Sequence, residues 1–132
     1  MHKPVLTFAD LTPGTPLPEL RVTVSAAANE RYWSAAGVDH PALRAGALYP
    51  PIAANMTVLC FGQVCPEAMI QTRQVLRCHG RAEAGAELVT TGRITDRYEK
   101  RGRAYVDVLA EIRVDDAMLW TSEVSFTPAS EL

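Results

Sequence analysis

Little in this 132-residue chain marks it for a specialised chemistry. It has three cysteines, a formal net charge of −2 and no uninterrupted apolar run of membrane length. Cys60, Cys65 and Cys78 are odd in number, and no second Cys or His pair stands at metal-ligand spacing, so no disulfide framework, metal site or cofactor is expected. The three thiols read as buried apolar side chains. The small net charge names no partner, and the absence of a basic stripe argues against nucleic-acid binding. The longest apolar stretch lies within residues 49–63, short of the roughly 20 residues a membrane helix needs. The opening MHKPVLTFAD has no apolar segment of the signal-peptide kind, so a cytoplasmic protein is expected. No repeat, linker or low-complexity tract interrupts the chain. Hydrophobic residues make up 48% and charged residues 21%, enough for one domain over 1–132 to build its own core without staples.

What is present is organised around residues 49–63. Pro50-Pro51 suits a first helical turn, where a missing N–H costs nothing. Ile52, Ala53, Ala54, Met56, Val58, Leu59, Cys60 and Phe61 follow without a charge, which predicts a helix buried nearly all round, broken at Cys65-Pro66-Glu67. Ahead of it, residues 1–18 form a Pro-rich lead-in with at most a short strand around 5–8, and 20–24 alternate as a first strand. Ser25 and Gly37 bracket a helix over 26–36 as N-cap and stop, and 38–48 reads as loop. After Met69 the period becomes two. Strands are expected over 70–78, 88–98, 103–114 and 118–127, with turns at 79–85, 99–102 and 115–116. Six strands or so curled around one buried helix make an α+β fold.

Three stretches carry a resemblance. The run Tyr32-Trp33-Ser34-Ala35-Ala36-Gly37-Val38-Asp39-His40-Pro41 resembles a helix followed by a Gly-Asp-x-Asn-Pro loop. Ala47-Leu48-Tyr49-Pro50-Pro51-Ile52 resembles an Ala-Pro-Pro lead into a central helix, and residues 93–103 a hairpin of long strands. In this order they are similar to the hot-dog fold of MaoC-like enoyl hydratases and 3-hydroxyacyl dehydratases, especially its N-terminal or partner-type domains. The resemblance implies an antiparallel sheet wrapped around the central helix and a dimer with the two sheets side by side. It also implies an acyl chain bound as a thioester of coenzyme A or acyl carrier protein.

The family adds water to an enoyl thioester with an Asp-x-Asn-x-x-His motif, which supplies a base near neutral pH and a second proton-transfer group. Backbone N–H groups stabilise the enolate. This sequence departs from the motif. Anchored on Pro41, the Asp position falls on Val38 and the His position on Leu43. Asp39 and His40 are the candidate catalytic pair, displaced by one place, and as neighbours on an extended loop they point apart. Each reads equally as a loop or turn residue. Pro50 and Pro51 stand at the usual oxyanion position without an N–H, leaving Ile52 as the first ordinary donor.

Tyr49, Ile52 and Asn55 are candidate substrate contacts; Asn55 either anchors a ligand carbonyl or caps a loop. Arg101 and Arg103, with Arg97 and Lys100, cluster at a hairpin turn. They serve either as a solvated turn or as a contact for coenzyme A phosphates or an acidic carrier protein. Three functions follow. The chain is a catalytically silent acyl-thioester-binding subunit paired with a catalytic MaoC-like partner, an active hydratase using a shifted Asp39/His40 pair, or an acyl thioesterase. The last would want a carboxylate near the central helix, where Asn55 stands.

Overall fold

The computed structural model describes residues 5–37 and 39–131. Val38, and with it the expected position of the motif aspartate, lies outside the described residues, as do 1–4 and 132. One five-stranded antiparallel sheet is formed by β1 (Pro16–Thr23), β2 (Met69–Cys78), β3 (Glu87–Lys100), β4 (Arg103–Val114) and β5 (Ala117–Pro128), in the order β1-β3-β4-β5-β2. The helices α1 (Ala26–Ala36), α2 (Pro41–Arg44) and α3 (Ile52–Gly62) all precede β2. The α+β reading and the helix-then-strands order hold.

Local rules account for most boundaries. The Ser25 side chain accepts the Ala28 N–H (3.1 Å), and Gly37 closes α1 at φ +68°. The β3–β4 turn is tighter than expected: the strands pair out to Lys100 opposite Arg103, leaving two central residues, Arg101 and Gly102. Both have positive φ, as a type I′ hairpin needs, and so do Asp115 and Asp116 between β4 and β5.

Several expectations are corrected. The lead-in has no strand at 5–8; it has a 3-10 turn over Phe8–Asp10. Strand β1 starts at Pro16, inside the expected lead-in. An outer strand tolerates prolines because its free edge needs no N–H, and Pro18 lies within a register shift between Leu17 and Leu20. The loop after α1 contains α2, because His40 caps it and Pro41 opens it. Cys60 and Cys65 are buried thiols, whereas Cys78, at the end of an outer strand, is exposed.

The largest correction concerns α3. It lies in the concave side of the sheet against β1, β3, β4 and β5. Its first half packs Ile52, Ala53 and Met56 against Leu88, Ile112 and Trp120. Its second half packs Cys60 and Phe61 against Ile94, Val106, Val108 and Phe126, with the Phe61 and Phe126 rings stacked at 4.5 Å. The opposite face is not buried: Asn55, Val58, Leu59 and Gly62 are exposed, Leu59 by 51%. A single sheet layer covers only the side of a helix it faces. Asn55, Val58, Leu59 and Gly62 follow the i, i+3, i+4, i+7 spacing of one helical stripe.

The lead-in is bound down over the far end of the core. Leu6 N–H donates to Val64 O (2.7 Å) and Phe8 N–H to Glu67 Oε1 (2.7 Å). The Arg97 guanidinium donates to Phe8 O and Ala9 O and sits 4.6 Å over the Phe8 ring. Arg97 therefore serves the lead-in and stands apart from the cationic turn with which the sequence grouped it.

Candidate functional site

A cleft of about 280 Å³ opens between the α1–α2 arm and the end of the sheet. Its walls are mostly apolar: Trp33 from α1, Leu48 and Pro50 ahead of α3, Ala82 from the β2–β3 connection, and Trp120 from β5, with His40 among the lining residues. This is the small end of the range for ligand pockets, and the composition suits an apolar ligand segment.

The arm is held against the core by one buried amide. Asn29 donates through Nδ2 to Ala47 O (2.9 Å) and accepts the Tyr49 N–H through Oδ1 (2.7 Å). Trp33 Nε1–H donates to the same Ala47 oxygen (3.0 Å). Both side chains are buried. Tyr49 closes the packing, stacking on Tyr32 at 6.3 Å and meeting the edge of Trp33 at 5.0 Å. Asn29, Trp33 and Trp120 were not singled out from the sequence. The i, i+4 spacing of Asn29 and Trp33 on one helical face was the available signal.

Asp39 and His40 are not brought together. Asp39 is highly exposed and pairs with Arg44 at 3.3 Å. His40 is exposed at the edge of the cleft: Nδ1 accepts the Ala42 N–H (3.1 Å), which places the proton of a neutral ring on Nε2, and the ring stacks on Trp33 at 6.4 Å. Leu43, at the expected motif-histidine position, lies in α2.

From Ala45 to Ala54 the backbone has no N–H to spare. Ala42 donates to His40 Nδ1, and Leu43, Ala45, Gly46 and Ala47 donate to carbonyls of residues 40–43. Leu48 N–H goes to Ala82 O, and Tyr49 N–H to Asn29. Pro50 and Pro51 have none. Ile52, Ala53 and Ala54 donate to Tyr49 O, Pro50 O and Pro51 O. Ile52 itself is buried against the core. Its expected role as the first ordinary donor meets an N–H already bonded within the turn.

The other expected contacts lie elsewhere. Asn55 stands on the exposed stripe of α3 beside Val58 and Leu59 and does not line the cleft. Arg101 and Lys100 line a separate hollow of about 250 Å³ on the outer face of the sheet, with Arg103 paired opposite Lys100 in the ladder. Among the described residues no group of three or more His, Cys, Asp or Glu side chains could hold a metal ion, and no helix is long and apolar enough to cross a membrane.

No protein-family model and no curated protein matches this sequence. Solved structures do match. The (R)-hydratase PhaJ1 of Pseudomonas aeruginosa superposes with a TM-score of 0.75 at 14% identity, over 91% of this chain and 83% of that one. The MaoC-like dehydratase of Rhodospirillum rubrum gives 0.74 at 18% identity, over 93% and 96%. The HadBC (3R)-hydroxyacyl-ACP dehydratase complex of Mycobacterium tuberculosis gives 0.72 at 18% identity, over 87% and 96%. At these identities the likeness speaks for architecture alone: with its sheet order and cradled α3, this chain has the hot-dog fold that these hydratase and dehydratase structures share.

Proposed function

We propose that this chain is an acyl-thioester-binding subunit of the hydratase/dehydratase type that does not itself activate water and works beside a catalytic MaoC-like partner. The observation that carries this reading is the spent backbone. From Ala45 to Ala54 every N–H is bonded within the protein or replaced by proline. An enolate oxygen at the head of α3 would meet no free backbone donor from residues 50–54, and one such donor is typically worth about 10²–10³-fold in rate. The split pair adds to this. Asp39 is paired with Arg44 and His40 stacks on Trp33, which supports a pair that does not share a water and so lacks general acid–base catalysis worth about 10²–10⁴-fold. The cleft walled by Trp33, Leu48 and Trp120 remains a fitting place for an apolar acyl segment.

The partner sits, on this reading, along the open edge of β2. Gln74 on β2 donates to Ala54 O of α3 (3.0 Å), so the free strand edge adjoins α3, whose exposed stripe carries Val58 and Leu59. Pairing there continues the sheet, hides an edge and covers apolar surface in one step. HadBC, which shares the fold, is itself a complex.

The test is an enoyl absorbance assay of the purified protein with crotonyl and longer enoyl thioesters of coenzyme A and of acyl carrier protein. The expected result is saturable binding of an acyl thioester with no turnover, and turnover when a catalytic MaoC-like subunit is added. One observation favours the second reading, an active hydratase with a shifted pair: His40 lines the cleft and its Nε2 has no hydrogen-bond partner among the described residues. Robust turnover by the chain alone, abolished by Asp39→Asn or His40→Ala, would establish that reading and overturn the first.

A further inference from the structure

The outer face of the sheet carries a feature that the cleft does not use. In the β3–β4 hairpin, Tyr98 pairs with Tyr105 and Lys100 with Arg103; across β5 and β2, Ser125 pairs with Arg73. The Tyr98 and Tyr105 rings stack at 5.4 Å and 12°. Arg73, Lys100 and Arg101 surround them and, with Thr72 and Ser125, line a hollow of about 250 Å³.

These cations are uncompensated. Among the described residues, Arg73, Lys100, Arg101 and Arg103 form no ion pair and no side-chain hydrogen bond. Lys100 and Arg103 are like charges directly opposite in a ladder, an arrangement that costs stability. The nearby acids are engaged elsewhere. Asp107 Oδ1 accepts both the Tyr98 hydroxyl (3.0 Å) and the Ser125 hydroxyl (2.7 Å). Glu123 pairs with Arg77 at 3.9 Å, and Asp96 Oδ1 accepts the Arg97 N–H. The Asp107 bonds fix the Tyr98 ring and the hydroxyl of Ser125 at the floor of the hollow.

We propose that this hollow binds the phosphate of a nucleoside phosphate, with Arg73, Lys100 and Arg101 holding the phosphate oxygens and the Tyr98–Tyr105 pair giving the ring a stacking face. Cations that outnumber the one carboxylate at the floor, Asp107, which already accepts two hydroxyls, suit a multiply charged anion, and an aromatic face beside them suits a flat base. The hollow is separate from the acyl cleft of the same protomer. Arg73 and Cys78 are five residues apart on β2, roughly 17 Å at about 3.3 Å per residue, and the hollow is on the outer face while Trp120 points into the core. The inference therefore stands independently of what the cleft binds.

The experiment is calorimetric titration of the full chain with adenosine diphosphate, inorganic phosphate and coenzyme A, which separates a free nucleotide from the nucleotide end of the coenzyme. The expected result is saturable binding of adenosine diphosphate, one per chain, weakened about tenfold or more by Arg73→Gln with Lys100→Gln and by added salt. Tyr105→Ala should weaken the nucleotide while leaving phosphate unchanged. Arg101→Asn, at a turn position whose left-handed backbone Asn tolerates, gives a second variant that keeps the hairpin. Melting temperatures of the charge variants should not fall, since repulsion is relieved. No saturable binding of any of the three probes up to the millimolar range would overturn the proposal. So would binding undiminished in the charge variants; coenzyme A binding that survived them would place its phosphates elsewhere and leave the acyl cleft reading intact.

Discussion

Asn29 shows how much of this molecule turns on one side chain. Its amide bonds two backbone groups of the segment that feeds α3; the bond to Ala47 O is buried and the bond from Tyr49 N–H partly so. Asn29→Ala would leave the Tyr49 N–H unpaired, at a cost of about 1–3 kcal/mol in urea unfolding. Asn29→Asp keeps an acceptor for Tyr49 but loses the donor to Ala47 O, so it should not restore full stability. Asp10 offers a pH counterpart. The Thr7 N–H, and then the Thr7 hydroxyl, hold its carboxyl below the ordinary aspartate range. A depressed folded value means the unfolded chain takes up the proton first. The contribution of Asp10 is therefore complete above the ordinary aspartate value of about 3.9 and is lost as pH falls through the folded one. An NMR titration should find its midpoint below the ordinary value, and Thr7→Val should raise it only part of the way, since the backbone bond remains.

At the scale of elements, α3 separates what hydrophobicity indicates from what packing uses. Met56 is almost completely buried and Leu59 is half exposed, three residues on. Met56→Ala should cost about 2–5 kcal/mol, the range for a buried methionine. Leu59→Ala should cost under about 0.5 kcal/mol in a dilute sample where the chain is alone. Equal losses at both positions in chemical denaturation would contradict the orientation of the helix. The hairpins obey a different rule. Gly102 has φ +75° in a two-residue turn, so Gly102→Ala should destabilise by about 1 kcal/mol while leaving the ladder register unchanged.

For the whole molecule, the open edge of β2 and the exposed Val58, Leu59 and Ile70 are surfaces a folded monomer leaves unsatisfied. Light scattering should find a dimer, either of this chain alone or with a partner. Leu59→Asp should shift it toward monomer without lowering the helical content of the dissociated chain, because the new charge remains in water. A stable monomer, with no partner recovered from the native host, would remove the basis for a subunit role.

The order of secondary structure was legible in the residues because it rests on near-neighbour physics. Ser25 and Gly37 bracket α1, the period of two marks β3 to β5, and Arg101-Gly102 and Asp115-Asp116 make the turns. The departure from the Asp-x-Asn-x-x-His motif was legible too, since absent side chains need no structure to be noticed. Long-range matters were not. That Asn29 reaches Ala47 and Tyr49, that Trp33 and Trp120 wall one cleft, that Arg97 serves Phe8 and Arg73 joins Lys100, all depend on bringing together residues from 18 to 89 positions apart. Periodicity says which residues share a face of their own element; which faces meet is decided only when the sheet curls around the helix.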